Sequence, residues 1–178
     1  MNTDEMLRRF KAATRTKPLL RADVEFLAQH MRRADYDEIM AASGPLVRPL
    51  ADELWLSAET SETAVVCYRP GTRTPIALYG VGTCPEHWPG VGFVWMHGTP
   101  ALAREARADF LRLGRVGLRQ LRERYRLLVC FADSRNRLHT RWLRWMGFIP
   151  INVHFFHDKF VPFLEFVIPG ITPNQGGR

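Results

Sequence analysis

Three small groups of residues have types and spacings that could do chemistry. Cys84-x-x-His87, with His97 ten residues further on, offers a thiolate and two imidazoles, the ligand types that zinc prefers. Structural zinc takes four ligands in paired spacings, and nothing supplies the fourth, so no metal site is expected. His154-Phe-Phe-His157 falls on a predicted strand, where residues three apart face opposite sides and cannot share an ion. Asp133 and Asn136 stand at a strand-to-helix turn, where such residues either cap the helix or, in a cleft, move protons. No G-x-S-x-G elbow supports a Ser-His-Asp arrangement. The largest group is cationic. Arg112, Arg115, Arg119, Arg122 and Arg126 project from one side of a predicted helix. Such a row suits DNA phosphates or an acidic neighbouring subunit; the plain alternative is a solvated face whose alkyl stems cover apolar surface.

The elements that must position these residues follow from hydrophobic period. Met1 to Lys17 is a polar amphipathic lead-in. Val24, Leu27 and Met31 share a helix face, and Asp35 or Asp37 can cap a second helix that stops at Ser43-Gly44-Pro45. Leu46 to Leu56 gives a third short amphipathic segment. From Ala64 the period changes to that of strands. Ala64–Tyr68 and Pro75–Val81 flank Arg69-Pro-Gly-Thr-Arg-Thr74, which signals a hairpin, and Val91–Met96 is a further strand. A long helix is expected over 101–125, with Thr99 as N-cap and Pro100 at its first position. Its apolar arc contains Gly114 and Gly117, which fits a helix lying close against a sheet. Leu127–Phe131 reads as a buried strand. Asn136–Trp145 reads as a helix with Leu138, Trp142 and Trp145 inward, ended by Gly147. Two antiparallel strands, Ile149–Phe156 and Phe160–Ile168, close the domain around His157-Asp158.

Composition bounds the class. The 178 residues, 46% hydrophobic and 24% charged, suit one globular domain over 19–168, with a lead-in over 1–18 and a polar tail over 169–178. Three unpaired cysteines, Cys67, Cys84 and Cys130, fit a reducing compartment, and the acidic N-terminus does not read as a signal peptide. The longest nearly uncharged stretch, Thr74 to Ala103, is broken by prolines and glycines and reads as strands and turns, not as a membrane span. Charge is unevenly placed: residues 1–100 carry a net −1 and residues 101–178 a net +8, together the stated +7. A GC-rich genome accounts for 22 arginines against 3 lysines, but not for their clustering. The basic field points to phosphate, nucleic acid or an acidic partner. No helix-turn-helix, zinc finger or aromatic RNA-binding signature is present, so any DNA contact is expected to be non-specific.

The order of elements resembles the GCN5-related N-acyltransferase (GNAT) fold over roughly residues 19–168. The resemblance rests mainly on Leu127-Leu-Val-Cys-Phe-Ala-Asp-Ser-Arg-Asn136 followed by Trp142-Leu-Arg-Trp-Met-Gly-Phe148. It implies an α/β (α+β) single domain, a mixed and mostly antiparallel sheet flanked by helices. In that family a Gly-rich R/Q-x-x-G-x-G/A loop cradles the coenzyme A pyrophosphate; here the stretch is His97-Gly-Thr-Pro-Ala-Leu-Ala-Arg-Glu-Ala-Arg107. The frequent general-acid tyrosine corresponds to Leu143. If the chain is an acyltransferase, the resemblance therefore places cofactor binding on His97, Gly98, Thr99, Arg104, Arg107 and Asn136. Proton transfer would then fall to His97, Asp133 or His139.

Leu20–Gly44, Val94-Trp-Met-His-Gly-Thr99 and the Asn136–Phe148 segment also resemble a GNAT-like family of short-tailed phages, described as internal virion or morphogenesis proteins. This second resemblance implies a virion-associated assembly role without acetyl-CoA, other phage structural proteins as partners in a multisubunit assembly, and location in the host cytoplasm and then the virion. It leaves an active acyl-CoA-dependent N-acyltransferase as the alternative.

Overall fold

Apolar residues at helical spacing build three helices at the start of the computed structural model, which describes residues 19–43, 48–156 and 160–171. These are α1 (Arg21–Gln29), α2 (Arg33–Ser43) and α3 (Leu50–Glu59). Val24 and Leu27 of α1 and Leu54 of α3 close over Val66 and Leu78 of the sheet. α2 differs, because two of its buried residues, Asp35 and Glu38, are acids. Asp35 sits inside its first turn and does not cap it.

Six strands form one sheet in the order β1-β2-β3-β4-β6-β5. β1 (Thr63–Tyr68) and β2 (Pro75–Thr83) make the expected hairpin, and Gly71 takes φ +73° in its turn. β3 (Val91–Gly98) runs antiparallel to β2 and parallel to β4 (Leu127–Asp133). β5 (Ile149–Phe155) and β6 (Pro162–Pro169) complete the sheet. The β3–β4 ladder is short, pairing only Val91, Gly92 and Phe93 with Leu127, Leu128 and Val129. Beyond Phe93 and Val129 the two strands continue unpaired with each other, and a wedge opens between them.

The helix expected over 101–125 is two helices, α4 (Pro100–Arg104) and α5 (Arg107–Arg124). Thr99 occupies the N-cap position of α4, but its side chain makes no capping bond. No residue of α5 is fully buried. Its apolar arc, including Phe110, Leu113 and Leu118, lines a cleft of about 1090 Å³ between helix and sheet. The two glycines therefore do not press this helix onto the strands. Gly117 lines the cleft, and a Cβ on Gly114 would lie 3.6 Å from Met146 Cε and 3.8 Å from Trp142 Cζ2.

α6 (Arg137–Met146) follows β4, with Asn136 as N-cap and Gly147 ending it at φ +96°. Its inward residues are His139, Thr140, Leu143 and Met146, while Leu138 and Trp145 face out. Of the three residues expected inward, Trp142 packs against the core, and Leu138 and Trp145 do not. Leu143 and Met146 pack with Leu128, Phe166 and Ile168 in the core on this side. The N–H groups of Gly170 and Ile171 bond to the carbonyls of Arg126 and Arg122, tying the start of the tail to the end of α5. The lead-in over 1–18, Gly44 and Pro45, His157 and Asp158, and residues 172–178 lie outside the described residues.

Candidate active site

A buried polar cluster stands where the wedge opens. Asp35 is 2% exposed and is held from three directions. Arg32 pairs with it through Nε and a terminal guanidinium nitrogen, Gly98 donates its N–H to Oδ2 at 2.9 Å, and Asn136 Nδ2 donates to Oδ1 at 3.2 Å. Asn136 Nδ2 also donates to Glu38 Oε2 at 2.9 Å. Glu38 Oε2 in turn lies 3.7 Å from His139 Nδ1. One helix, the end of β3 and the start of α6 thus meet on two carboxylates.

His97 comes from β3 and feels the same charges. Burial lowers its pKa below the ordinary histidine value of 6.5, and the fields of Asp35 and Glu38 oppose that shift. Its imidazole is therefore neutral near pH 7 and free to accept a proton. His139 lines the cleft and approaches Glu38, which joins the two sides of the wedge.

Several expected site residues take other work. Asp133 is buried, and Arg135 engages it with its backbone N–H and its guanidinium. The backbone donors of the β3–α4 corner are spent: the N–H of Gly98 goes to Asp35 and that of Thr99 to Ile76 O, and Pro100 has none. Asn136 caps α6 by accepting the His139 N–H at 3.4 Å and carries the carboxylate bonds already described. Thr99 Oγ1 and Trp142 Nε1 are buried without a hydrogen-bond partner among the described residues. Trp142 lines the cleft, but its indole N–H is shielded from solvent. Cys67, pushed up to about 12 by burial, and Cys130, raised in the same way, stay protonated and are not nucleophiles.

Arg104 and Arg107 bracket the break between α4 and α5, are exposed, and make no ion pair among the described residues. The N-cap of α5 is Ala106, which has no capping side chain, so the first-turn N–H groups are open. Asp109 shares that turn and partly offsets its positive end. Two cations beside an open helix start and a large apolar cleft fit a coenzyme A thioester. Exposed cations stand at residues 104 and 107, whereas the backbone donors of Gly98 and Thr99 are already engaged.

The arginine row is largely satisfied within the chain. The Arg115 guanidinium stacks over Trp145 at 3.9 Å, Arg119 pairs with Glu123 at 3.1 Å, and Arg122 and Arg126 donate to the carbonyls of Pro169 and Pro89. Arg112 lines the cleft with no partner among the described residues. The zinc trio is also rearranged, because Cys84 and His87 gather with Glu86 and not with His97. His154 bonds Glu165 at 2.6 Å, a pairing across the β5–β6 ladder region. The cluster members Arg32, Asp35 and Glu38 were missed by motif reading. Their spacing of three along one helix face was the available signal.

No helix among the described residues is long and apolar enough to cross a membrane. No protein-family model matches the chain, and no curated protein sequence does. Solved structures do. A ribosomal-protein-alanine N-acetyltransferase from Brucella melitensis matches with a TM-score of 0.61 at 14% identity, over 86% of this chain and 98% of its own. A GNAT-family acetyltransferase from Bacillus anthracis matches with a TM-score of 0.63 at 9% identity, over 85% and 91%. AAC(6')-Ib in complex with ribostamycin and coenzyme A matches with a TM-score of 0.62 at 15% identity, over 86% and 91%. The six-stranded, mostly antiparallel sheet with its parallel β3–β4 wedge is a GNAT acetyltransferase fold.

Proposed function

We propose that the protein is an acyl-CoA-dependent N-acyltransferase. One observation carries the reading. β3 and β4 part beyond Phe93 and Val129, with an apolar cleft on one side and a buried acid–histidine cluster on the other. When bound, an acyl-CoA supplies an acyl group already activated as a thioester. Arg104, Arg107 and the open first turn of α5 would hold its phosphates. Arg32 neutralises Asp35, which leaves Glu38 as the charge that draws a protonated acceptor amine. His97, kept neutral by burial, accepts the proton that the amine sheds as it becomes nucleophilic. Asn136 and the Gly98 N–H hold the carboxylates in place for that step.

The named structural neighbours support this reading over a virion assembly role. The intramolecular partners of four of the five row arginines also weigh against the row as an assembly contact. Thermal shift with acetyl-CoA and with free coenzyme A tests the proposal, followed by thiol release in the presence of a panel of amines. A thioester at 100 times its dissociation constant should stabilise the fold by about 2.7 kcal/mol. Absence of both stabilisation and thiol release at millimolar thioester would overturn it.

A further inference from the structure

The loop over 84–90 joins β2 to β3 and gathers three side chains of metal-ligating type. Cys84 Sγ lies 3.4 Å from His87 Nδ1 and 3.9 Å from Glu86 Oε2, and ligand atoms of all three residues lie within 4.8 Å of one another. The backbone holds them there. Pro85 fixes its own φ, and the N–H groups of His87 and Trp88 both donate to Cys84 O, at 3.1 and 2.7 Å. Closing this turn brings residues 84, 86 and 87 together with no help from a distant element. The side chains of Glu86 and His87 have no partner among the described residues other than Cys84. In a chain of net charge +7, no arginine or lysine among those residues takes up this carboxylate.

We infer that Cys84, Glu86 and His87 bind a divalent ion of the zinc class, with a fourth position left to water. The donor set selects the ion. A thiolate, an imidazole and a carboxylate suit zinc and its first-row neighbours, whereas calcium and magnesium take oxygen ligands. The separations also fit. Bonds of about 2.3 Å to sulfur and about 2.0–2.1 Å to nitrogen, at a tetrahedral angle, place those two atoms about 3.6 Å apart, and sulfur and oxygen nearly the same. The observed 3.4 and 3.9 Å lie on either side of that edge length. Cys84 is half-buried while Glu86 and His87 are exposed, so an ion reaches all three without opening the fold. A turn that is already closed also lowers the ordering cost of binding. Sequence spacing offered His97 as the third ligand and lacked a fourth. Glu86 takes the place of His97, and three protein ligands with one free position form the open kind of zinc site. The loop precedes β3, whereas the acid–histidine cluster meets the other end of that strand at Gly98, so this inference is independent of the acyltransferase reading.

The test is a titration of the untagged, reduced full chain with Co²⁺, followed by absorption. The expected result is one equivalent bound, with a thiolate-to-cobalt charge-transfer band and visible bands of tetrahedral strength, both bleached when Zn²⁺ displaces the cobalt. C84S should abolish the charge-transfer band. E86Q and H87Q should each weaken cobalt binding by about tenfold or more, since even the loss of groups that only orient ligands costs that much. C67A, at the half-buried cysteine of β1, should leave the spectrum unchanged. Glu86 and His87 are exposed, so their substitutions meet water, and circular dichroism checks that every variant stays folded. No charge-transfer band from the wild type at hundred-micromolar Co²⁺ overturns the inference, because the three contacts are then only weak hydrogen bonds to sulfur. A band that survives C84S, or one indifferent to both E86Q and H87Q, overturns it as well.

Discussion

Asn136 Nδ2 donates to Asp35 Oδ1 across 101 residues of sequence, and the same nitrogen reaches Glu38 Oε2. The start of α6 is therefore bolted to α2 through a buried amide. Replacing Asn136 with alanine strips a donor from two buried carboxylates and removes the cap of α6. Bonds of this kind to charged groups are worth about 1.5–3 kcal/mol. N136A should lose roughly that much stability in denaturant unfolding, whereas Thr140→Ala, whose hydroxyl makes a local bond to Arg137 O, should lose less.

Asp35 links three elements, so D35A should be more damaging than N136A. It leaves the Arg32 guanidinium and the Gly98 N–H without their acceptor in a buried setting. A loss of about 3–5 kcal/mol is expected for breaking a buried pair from one side. The double variant R32M/D35A should recover part of this, because the orphaned charge goes with its partner. Chemical denaturation of the three proteins checks the order.

The lowered pKa of His97 has a defined consequence for stability. The folded state releases its proton more readily than the unfolded chain, so the unfolded state binds more protons between the lowered value and 6.5. Stability from this group is fully present above 6.5 and is lost as pH falls through that window. Wild-type melting temperature should drop on acidification, and H97Q should show a shallower drop. Under the acyltransferase reading, kcat/KM of the wild type should persist to lower pH than an ordinary histidine base allows, and H97Q should reduce it on the order of 100-fold or more.

Trp95 lies against Gly80 of the neighbouring strand; an added Cβ there would collide with the indole ring of Trp95. The same indole donates to Ser61 Oγ at 2.9 Å and its ring sits 5.7 Å from that of His97. G80A should therefore cost about 1–3 kcal/mol by overpacking and displace Trp95 from its neighbours. A shift in tryptophan fluorescence accompanying the lower melting temperature is the expected signature.

Under the acyltransferase reading Arg104 and Arg107 would hold the phosphates of an acyl-CoA, and both are exposed and free of ion pairs among the described residues. R104Q/R107Q should leave the melting temperature of the free protein within about 0.5 kcal/mol of wild type in stability. Acetyl-CoA affinity should fall about tenfold or more, and its dependence on salt should weaken, as measured by calorimetry at two ionic strengths.

Local patterns determined much of the fold. The switch from a period near 3.6 to a period of two at Ala64, the Arg69–Thr74 turn, Asn136 before α6 and Gly147 after it are all short-range signals, because caps and turns satisfy backbone groups within a few residues. The GNAT-like order of elements follows from them. Which residues form the site was decided only by tertiary structure. Asp35 and Glu38 read as ordinary helix polar residues until α2 packs across the wedge and burial makes their charges costly without Asn136, Gly98 and Arg32. The break at Glu105–Ala106 was hidden because a run of good helix formers carries no local stop. The arginine row was legible as a row, and so was the i,i+4 pair of Arg119 with Glu123, but the partners of Arg115, Arg122 and Arg126 lie on α6, at the end of β6 and in the loop before β3, and no spacing along one helix can encode them. Periodicity tells which face of an element turns inward; what that face meets depends on contacts between residues far apart in the chain.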